Sequence, residues 1–91
     1  MNFISKGVIQ MFSNRTPDGR NNICGVKVAK LRKNLKISQR ELADRLQLIE
    51  LDIDKNAVQR IESGQRFVTD IELISLAKVF SVSIEELLNR D

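Results

Sequence analysis

The fold of this chain is decided between residues 37 and 64, where it reads ISQRELADRLQLIELDIDKNAVQRIESG. Ser38 followed three residues later by Glu41 is a capping box, in which each side chain satisfies a free backbone amide at a helix start. The pattern therefore predicts a helix that begins at Ser38 and runs to about Leu48. Its apolar face is predicted to consist of Leu42, Ala43 and Leu46.

A second helix is predicted later in the same stretch, over about residues 55–63. Asp54 is a suitable N-cap, and Gly64 supplies the left-handed residue that ends many helices. The apolar face would be Ala57, Val58 and Ile61, and the outward side chains would be Lys55, Asn56, Gln59 and Arg60. Arg and Lys can donate to guanine O6 and N7, and Asn and Gln can pair with adenine. Such an outward face is typical of a DNA-reading helix-turn-helix.

The connection from Gln47 to Asp54 is longer than the turn of about three or four residues that a helix-turn-helix requires. Because this connection is rich in large apolar residues, we expect the helix that begins at Ser38 to run on by about a turn and a short packed segment to follow. Glu50, Asp52 and Asp54 would repel phosphates if they faced DNA. We expect Asp54 to cap the helix over residues 55–63 and the carboxylates of Glu50 and Asp52 to face away from DNA.

The same kind of pattern predicts three more helices. One covers about residues 24–35, one runs from a cap at Thr69 to Phe80, and a short one follows Ser83. These residues contain no strand pattern. The sequence therefore predicts an all-α, five-helix domain over residues 23–91.

Residues 1–22 differ from the rest in composition and are interpreted as an N-terminal extension or arm. Thr-Pro-Asp-Gly at 16–19 is a turn signal. Residues 3–12 hold an apolar cluster too short for a stable isolated helix, so they could pack on the domain, bind a partner chain, or be disordered. Arg15 and Arg20 could form a basic arm along DNA, although a plain tail is the favoured interpretation.

The composition leaves little for catalysis. The 91 residues include no His and one Cys, which excludes a His-based triad, a Cys/His zinc site and a Cys-x-x-Cys pair. We therefore expect no enzymatic activity, no metal and no cofactor. Cys24 is interpreted as a small residue at the start of the helix over residues 24–35. With no long apolar stretch and no signal peptide, the sequence predicts a cytoplasmic protein without membrane contact.

Charge is distributed unevenly along the chain. Residues 23–66 contain ten basic and six acidic side chains, a balance of +4. Residues 67–91 contain two basic and five acidic side chains, a balance of −3. A basic front with an acidic back fits a protein that approaches a phosphate backbone from one side, and ordinary surface charge is the alternative.

Five segments in order resemble the Cro/phage-repressor-like helix-turn-helix family, also called the XRE family, over about residues 23–89. The segments are VAKLR at 28–32, ISQRELA at 37–43, VQRIESGQR at 58–66, LAKVF at 76–80 and SIEELL at 83–88. Five segments in the right order are much harder to obtain by chance than one short motif. The resemblance implies a five-helix, lambda-repressor-like fold whose third helix enters the major groove of double-stranded DNA.

The resemblance also implies roles for individual residues. Base contacts fall on Lys55, Asn56 and Arg60, with Gln59 as a weaker candidate. Gln39 is implied to contact a phosphate or a base, and Ser63, Gly64 and Arg66 are implied to contact phosphates. Arg40 and Arg45 are further candidates for phosphate contacts. Arg32 and Glu62 are expected to form a structural ion pair, because a partly buried charge needs a partner. The chain departs from the family in the longer connection after the helix that begins at Ser38, where Gln47 stands in place of the usual Gly.

These features predict a sequence-specific transcriptional regulator, most simply a repressor that binds a near-palindromic operator. A homodimer is expected because one recognition helix reads only a few base pairs. The face with Val82, Ile84, Leu87 and Leu88 either completes the core or forms the dimer seam. Two alternatives stay open: an antitoxin that holds its toxin through residues 3–12, and a helical module that binds only proteins.

Overall fold

The computed structural model describes residues 14–90, and within them every regular element is an α-helix. The five helices are α1 (Gly25–Asn34), α2 (Gln39–Leu48), α3 (Lys55–Ser63), α4 (Asp70–Phe80) and α5 (Ile84–Leu88). The prediction of an all-α, five-helix domain is confirmed. The apolar cluster predicted at residues 3–12, with its partner-binding role, lies outside the described residues.

The helix starts follow the predicted side-chain caps. Ser38 and Thr69 form complete capping boxes at α2 and α4, and the side chains of Asp54 and Ser83 cap α3 and α5. The first helix differs, because Cys24 at its N-cap position makes no side-chain capping bond. Its first free amide is satisfied from outside the helix, since Gly25 N donates to Asn22 Oδ1 at 2.8 Å.

Four of the five helix ends share one device, a left-handed residue just after the last turn, whereas α5 ends at Asn89 in an extended conformation. Lys36, Glu50, Gly64 and Ser81 have φ values of 60°, 70°, 85° and 55°. After α2, the amide of Glu50 donates to Gln47 O and that of Leu51 donates to Leu46 O, both at 3.0 Å. This pair of bonds is a Schellman motif, which reverses the chain.

The expectation that α2 runs on by a turn is therefore wrong, because the helix stops at Leu48. The packed segment expected after it is present, since Leu51 and Ile53 are buried in the core. Leu48 itself is 82% exposed.

One hydrophobic core joins all five helices and the connection between α2 and α3. The fully buried large side chains are Val28, Leu42, Leu46, Val58, Ile61, Leu76 and Leu87. Leu87 therefore completes the core and the partly buried Val82 packs against it, whereas Ile84 and Leu88, on the same short helix as Leu87, are exposed. Lys27 ties α1 to α5 through an ion pair, with its Nζ 3.0 Å from Glu86 Oε2.

Residues 14–22, assigned by sequence to the extension, pack against the folded helices. The turn predicted at 16–19 is present, with Gly19 N donating to Thr16 O at 2.9 Å and φ of 85° at Gly19. Beyond it, Asn21 N donates to Gly64 O at 2.7 Å. The segment therefore runs from the turn directly onto the C-terminal end of α3.

No helix among residues 14–90 is long and apolar enough to cross a membrane.

Candidate nucleic-acid interface

The outward face of α3 carries the four side chains predicted to reach base edges. Lys55, Asn56, Gln59 and Arg60 are all exposed, while Ala57, Val58 and Ile61 are buried on the opposite face. Because residues four apart lie on the same side of a helix, the four polar side chains form one continuous face. This face has the donors and acceptors that base recognition in the major groove requires.

The N-terminal end of α3 is fixed by two side chains. Asp54 Oδ1 accepts a hydrogen bond from Ala57 N at 2.8 Å, as predicted for the cap. Gln47, which stands where the family usually has Gly, donates from Nε2 to Ile53 O at 2.8 Å. Gln47 thus spans the longer connection and holds the chain that leads into the helix.

A cleft of about 220 Å³ lies between α2 and the start of α3. Its polar lining residues are Arg40, Asp44, Gln47, Asp54, Lys55 and Asn56. A predicted phosphate contact, Arg40, therefore lies in the same cleft as two predicted base contacts, Lys55 and Asn56. The carboxylate of Asp54 turns one oxygen to its own helix, in the capping bond.

The last turn of α3 is held to α1 and α2 by a polar cluster around Glu62. Arg32 donates to the carboxylate through Nε at 2.6 Å and through Nη2 at 3.1 Å. Gln39 Nε2 donates to Glu62 Oε1 at 3.0 Å, so this predicted DNA contact is engaged within the protein. The side chains of Arg32 and Glu62 are 13% and 8% exposed, and the hydrogen bond that Arg32 donates to Glu62 raises the pKa of Arg32.

Arg66 links the end of α3 to the start of α4. Its Nη1 lies 2.8 Å from Glu72 Oε1, and the same oxygen accepts from Thr69 N at 3.0 Å. The hydrogen bond from Arg66 holds the pKa of Glu72 below its usual value and raises that of Arg66. Arg66, predicted as a phosphate contact, therefore also has a structural partner.

Ser63 and Gly64 lie at the turn after α3. Ser63 is exposed, and its Oγ donates to Arg60 O at 3.2 Å. The amide of Gly64 donates to Ile61 O at 3.1 Å, so it is used within the helix end. Of the two, the Ser63 side chain is the more accessible to a phosphate.

Sequence reasoning missed the contacts that Arg20, Asn21 and Asn22 make with the end of α3 and the turn after it. Their side chains donate to backbone carbonyl groups at and just after the end of α3. The partners lie 39 to 44 positions further along the chain, so no local pattern could reveal them. Arg20, which the sequence offered as part of a basic arm along DNA, is bonded to the end of α3.

A family model described as helix-turn-helix matches residues 28–87 of the chain. The chain belongs to this Cro/phage-repressor-like family. The matched range covers the structural ion pair, α2, the longer connection and the whole of α3. No curated protein and no solved structure shows a significant match.

Membership in the helix-turn-helix family makes the chain a DNA-binding transcription regulator of the XRE type. The family is one of DNA-binding domains that are typically not enzymes. Among residues 14–90 there is no cluster of His, Cys, Asp or Glu suited to a metal ion. Cys24 is buried, and desolvation raises the pKa of its thiol to about 11, so the thiol stays protonated at neutral pH.

Proposed function

We propose that this protein is a sequence-specific repressor that binds a near-palindromic operator as a homodimer, with α3 in the major groove. The observation that carries the proposal is the exposed polar face of α3. Its members are Lys55, Asn56, Gln59 and Arg60. A helix held at its start by Asp54 and Gln47 and in its last turn by the contacts of Glu62 presents these side chains in a fixed geometry, which base discrimination requires.

Affinity would come mainly from contacts to phosphates. Arg40 is the best-supported side chain for this role, because it is exposed and shares a cleft with Lys55 and Asn56. Gln39 and Arg66 would have to exchange a partner within the protein for a phosphate. The exposed Ser63 and the backbone around Gly64 complete the proposed set.

Exposed apolar side chains support the dimer. On α4 and α5, Ile71, Ile74, Ile84 and Leu88 are 68%, 45%, 38% and 43% exposed. Helices α4 and α5 are in contact, and exposed large apolar side chains on neighbouring elements are typical of a surface that a partner covers. Two copies would place two recognition helices about 34 Å apart, one turn of DNA, on a near-palindromic site.

The proposal is tested by fluorescence anisotropy with the DNA upstream of the protein's own gene and with a scrambled duplex, over a series of salt concentrations. We expect binding that favours the native sequence, weakens steeply with salt and saturates at two chains per duplex. Equal weak binding to both duplexes would contradict an operator in that DNA. Failure to bind either duplex at low salt would instead favour a protein-interaction module.

A further inference from the structure

We propose that residues 20–22 position the recognition helix for base reading, and that Arg20 is the main positioning residue. The inference rests on the proposed function of α3. It concerns a segment that the helix-turn-helix match does not include, since that match begins at residue 28. The three residues are called the α3 clamp below.

The α3 clamp donates to carbonyl groups at the end of α3 and in the turn after it, where the last carbonyl groups of a helix lack the partners that its interior provides. Arg20 Nη2 donates to Glu62 O at 2.8 Å and to Ile61 O at 3.3 Å. Asn22 Nδ2 donates to Ile61 O at 3.0 Å and to Arg66 O at 2.8 Å. These two side chains therefore span the last turn of the helix and the turn that follows it.

Asn21 extends the α3 clamp beyond the helix end. Its backbone amide donates to Gly64 O at 2.7 Å, and its Nδ2 donates to Gln65 O at 2.9 Å. Asn22 in turn accepts from Gly25 N at 2.8 Å, which fixes the start of α1 to the same site.

Two glycines allow the close approach. A Cβ atom at Gly25 would lie 1.9 Å from Ile61 O, a contact that neither backbone can accommodate. A Cβ atom at Gly64 would lie 2.8 Å from Arg20 Cζ, and the φ of 85° there also disfavours any side chain. The backbone of Gly25 therefore packs directly on that of Ile61, and the guanidinium of Arg20 packs directly on Gly64, so α3 has little room to move relative to this segment.

Arg20 also matches the end of α3 electrostatically. The C-terminal end of a helix carries partial negative charge, and a guanidinium placed there is stabilising. The guanidinium of Arg20 lies next to Gly64, in the turn proposed to face phosphates. Its Nε is buried and has no hydrogen-bond partner among residues 14–90. Both carbonyl bonds are made by Nη2, so the guanidinium is committed to the helix end rather than to an extended arm.

The consequence for DNA reading follows from the position of Arg60. This proposed base contact directly precedes Ile61, whose carbonyl accepts from both Arg20 and Asn22. Loss of the α3 clamp would free the last turn of α3 and the side chain of Arg60 with it. Base contacts depend on direction more strongly than phosphate contacts do, so preference should fall more than affinity.

The test compares Arg20→Ala, Arg20→Lys and Arg15→Ala with the wild-type chain. Each protein is titrated against a duplex that the wild type has selected from a random-sequence library and against a scrambled version of it. Circular dichroism fixes a temperature at which every variant is folded. Arg15→Ala is the matched control, because Arg15 is exposed and the charge lost from the same segment is identical.

We expect Arg20→Ala to lower the preference for the selected duplex about tenfold, within the range for one weakened base contact, with scrambled-duplex affinity little changed. Arg20→Lys should restore part of the preference, and Arg15→Ala should keep it. A folded Arg20→Ala variant with wild-type preference would overturn the inference. It would also be overturned if Arg20→Ala and Arg15→Ala each lost the same affinity for the selected duplex as for the scrambled one. A wild type that selects no sequence would refute the proposed function itself before any variant is compared.

If Arg20→Ala does not fold, Asn21→Ala provides the decisive variant. It removes one exposed side-chain bond, to Gln65 O, and leaves the backbone bond to Gly64 in place. The inference predicts a smaller loss of preference, about threefold, and an unchanged preference would overturn it.

Discussion

Glu62 accepts hydrogen bonds from three different parts of the chain. Its carboxylate accepts from two nitrogens of Arg32 and from Gln39, and its backbone carbonyl accepts from Arg20. One residue of α3 is thus bonded to α1, to α2 and to the segment before α1. Because the carboxylate is nearly buried, its loss would leave the guanidinium of Arg32 without a counter-charge, with only the bond from Nη1 to Ile37 O at 2.8 Å.

Replacement of Glu62 by Ala is therefore expected to lower the free energy of unfolding by about 3 kcal/mol. Urea denaturation followed by circular dichroism measures the change. Arg90→Gln is the control, because it breaks an ion pair with Asp18 whose two side chains are 39% and 51% exposed. That variant should unfold at the wild-type midpoint. An unchanged midpoint for Glu62→Ala together with lost DNA preference would show that Glu62 acts in recognition instead.

Glu72 predicts how stability depends on pH. The bond from Arg66 lowers the pKa of this carboxyl in the folded state from its usual 4.5, so the unfolded state takes up the proton first. The stabilisation is present above pH 4.5 and is lost as the pH falls through the lower folded-state pKa. In urea titrations from neutral to acid pH, Glu72→Gln should lose part of the acid-induced drop in stability.

The control for that titration is Glu85→Gln. The exposed carboxylate of Glu85 makes no hydrogen bond or ion pair with any other residue from 14 to 90. This variant should keep the pH dependence of the wild type. If Glu72→Gln also keeps it, the Arg66 bond does not stabilise the fold.

At the scale of the helices, starts and ends are specified differently. The starts rest on a polar side chain a few residues from its partner, as at Ser38. Three of the left-handed residues after helix ends are not glycine, namely Lys36, Glu50 and Ser81. A side chain in that conformation costs free energy, which the packing of the following residue offsets.

Glu50→Gly should therefore stabilise the domain, by about 0.5–1 kcal/mol, because glycine removes the steric cost of φ 70°. Glu50→Gln is the matched control, since it removes the charge and keeps the Cβ atom. Thermal and urea unfolding of both variants separate the two effects. Equal stability of the two variants would mean that the backbone at Glu50 is not strained.

The difference between starts and ends explains how much of the fold could be predicted. The caps, the apolar faces and the outward face of α3 depend on local spacing, and the sequence predicts them correctly. The further turn expected after Leu48 is absent because Glu50 adopts a left-handed conformation for which its sequence shows no local preference. The partners of Gln39 and Arg66 and the contacts of the α3 clamp depend on tertiary packing, which spacing along the chain does not specify.

At the scale of the whole molecule, the domain has two unlike surfaces. One is the polar face of α3, and the other is the set of exposed apolar side chains on α4 and α5 that is proposed to form the dimer interface. A monomer with a single recognition helix reads only a few base pairs, so the proposed function needs the apolar surface to join two copies.

Leu88→Lys is therefore expected to weaken self-association without unfolding the domain, because Leu88 is 43% exposed. Sedimentation equilibrium over a range of concentrations measures the change. Leu48→Lys is the control, since it adds the same charge at an even more exposed leucine outside α4 and α5. A dimer unaffected by Leu88→Lys would place the interface elsewhere, and a monomeric wild type would contradict the dimer.

The most direct test of the central claim is a binding profile of wild type, Arg60→Ala and Arg40→Ala. Anisotropy is measured on a set of operator duplexes in which each base pair is replaced in turn. We predict that Arg60→Ala loses discrimination at one position in each half-site, worth about 1–3 kcal/mol, and keeps it at the others. Arg40→Ala should weaken every duplex about equally and reduce the salt dependence. If Arg60→Ala and Arg40→Ala gave the same uniform loss, α3 would not be the element that reads the sequence.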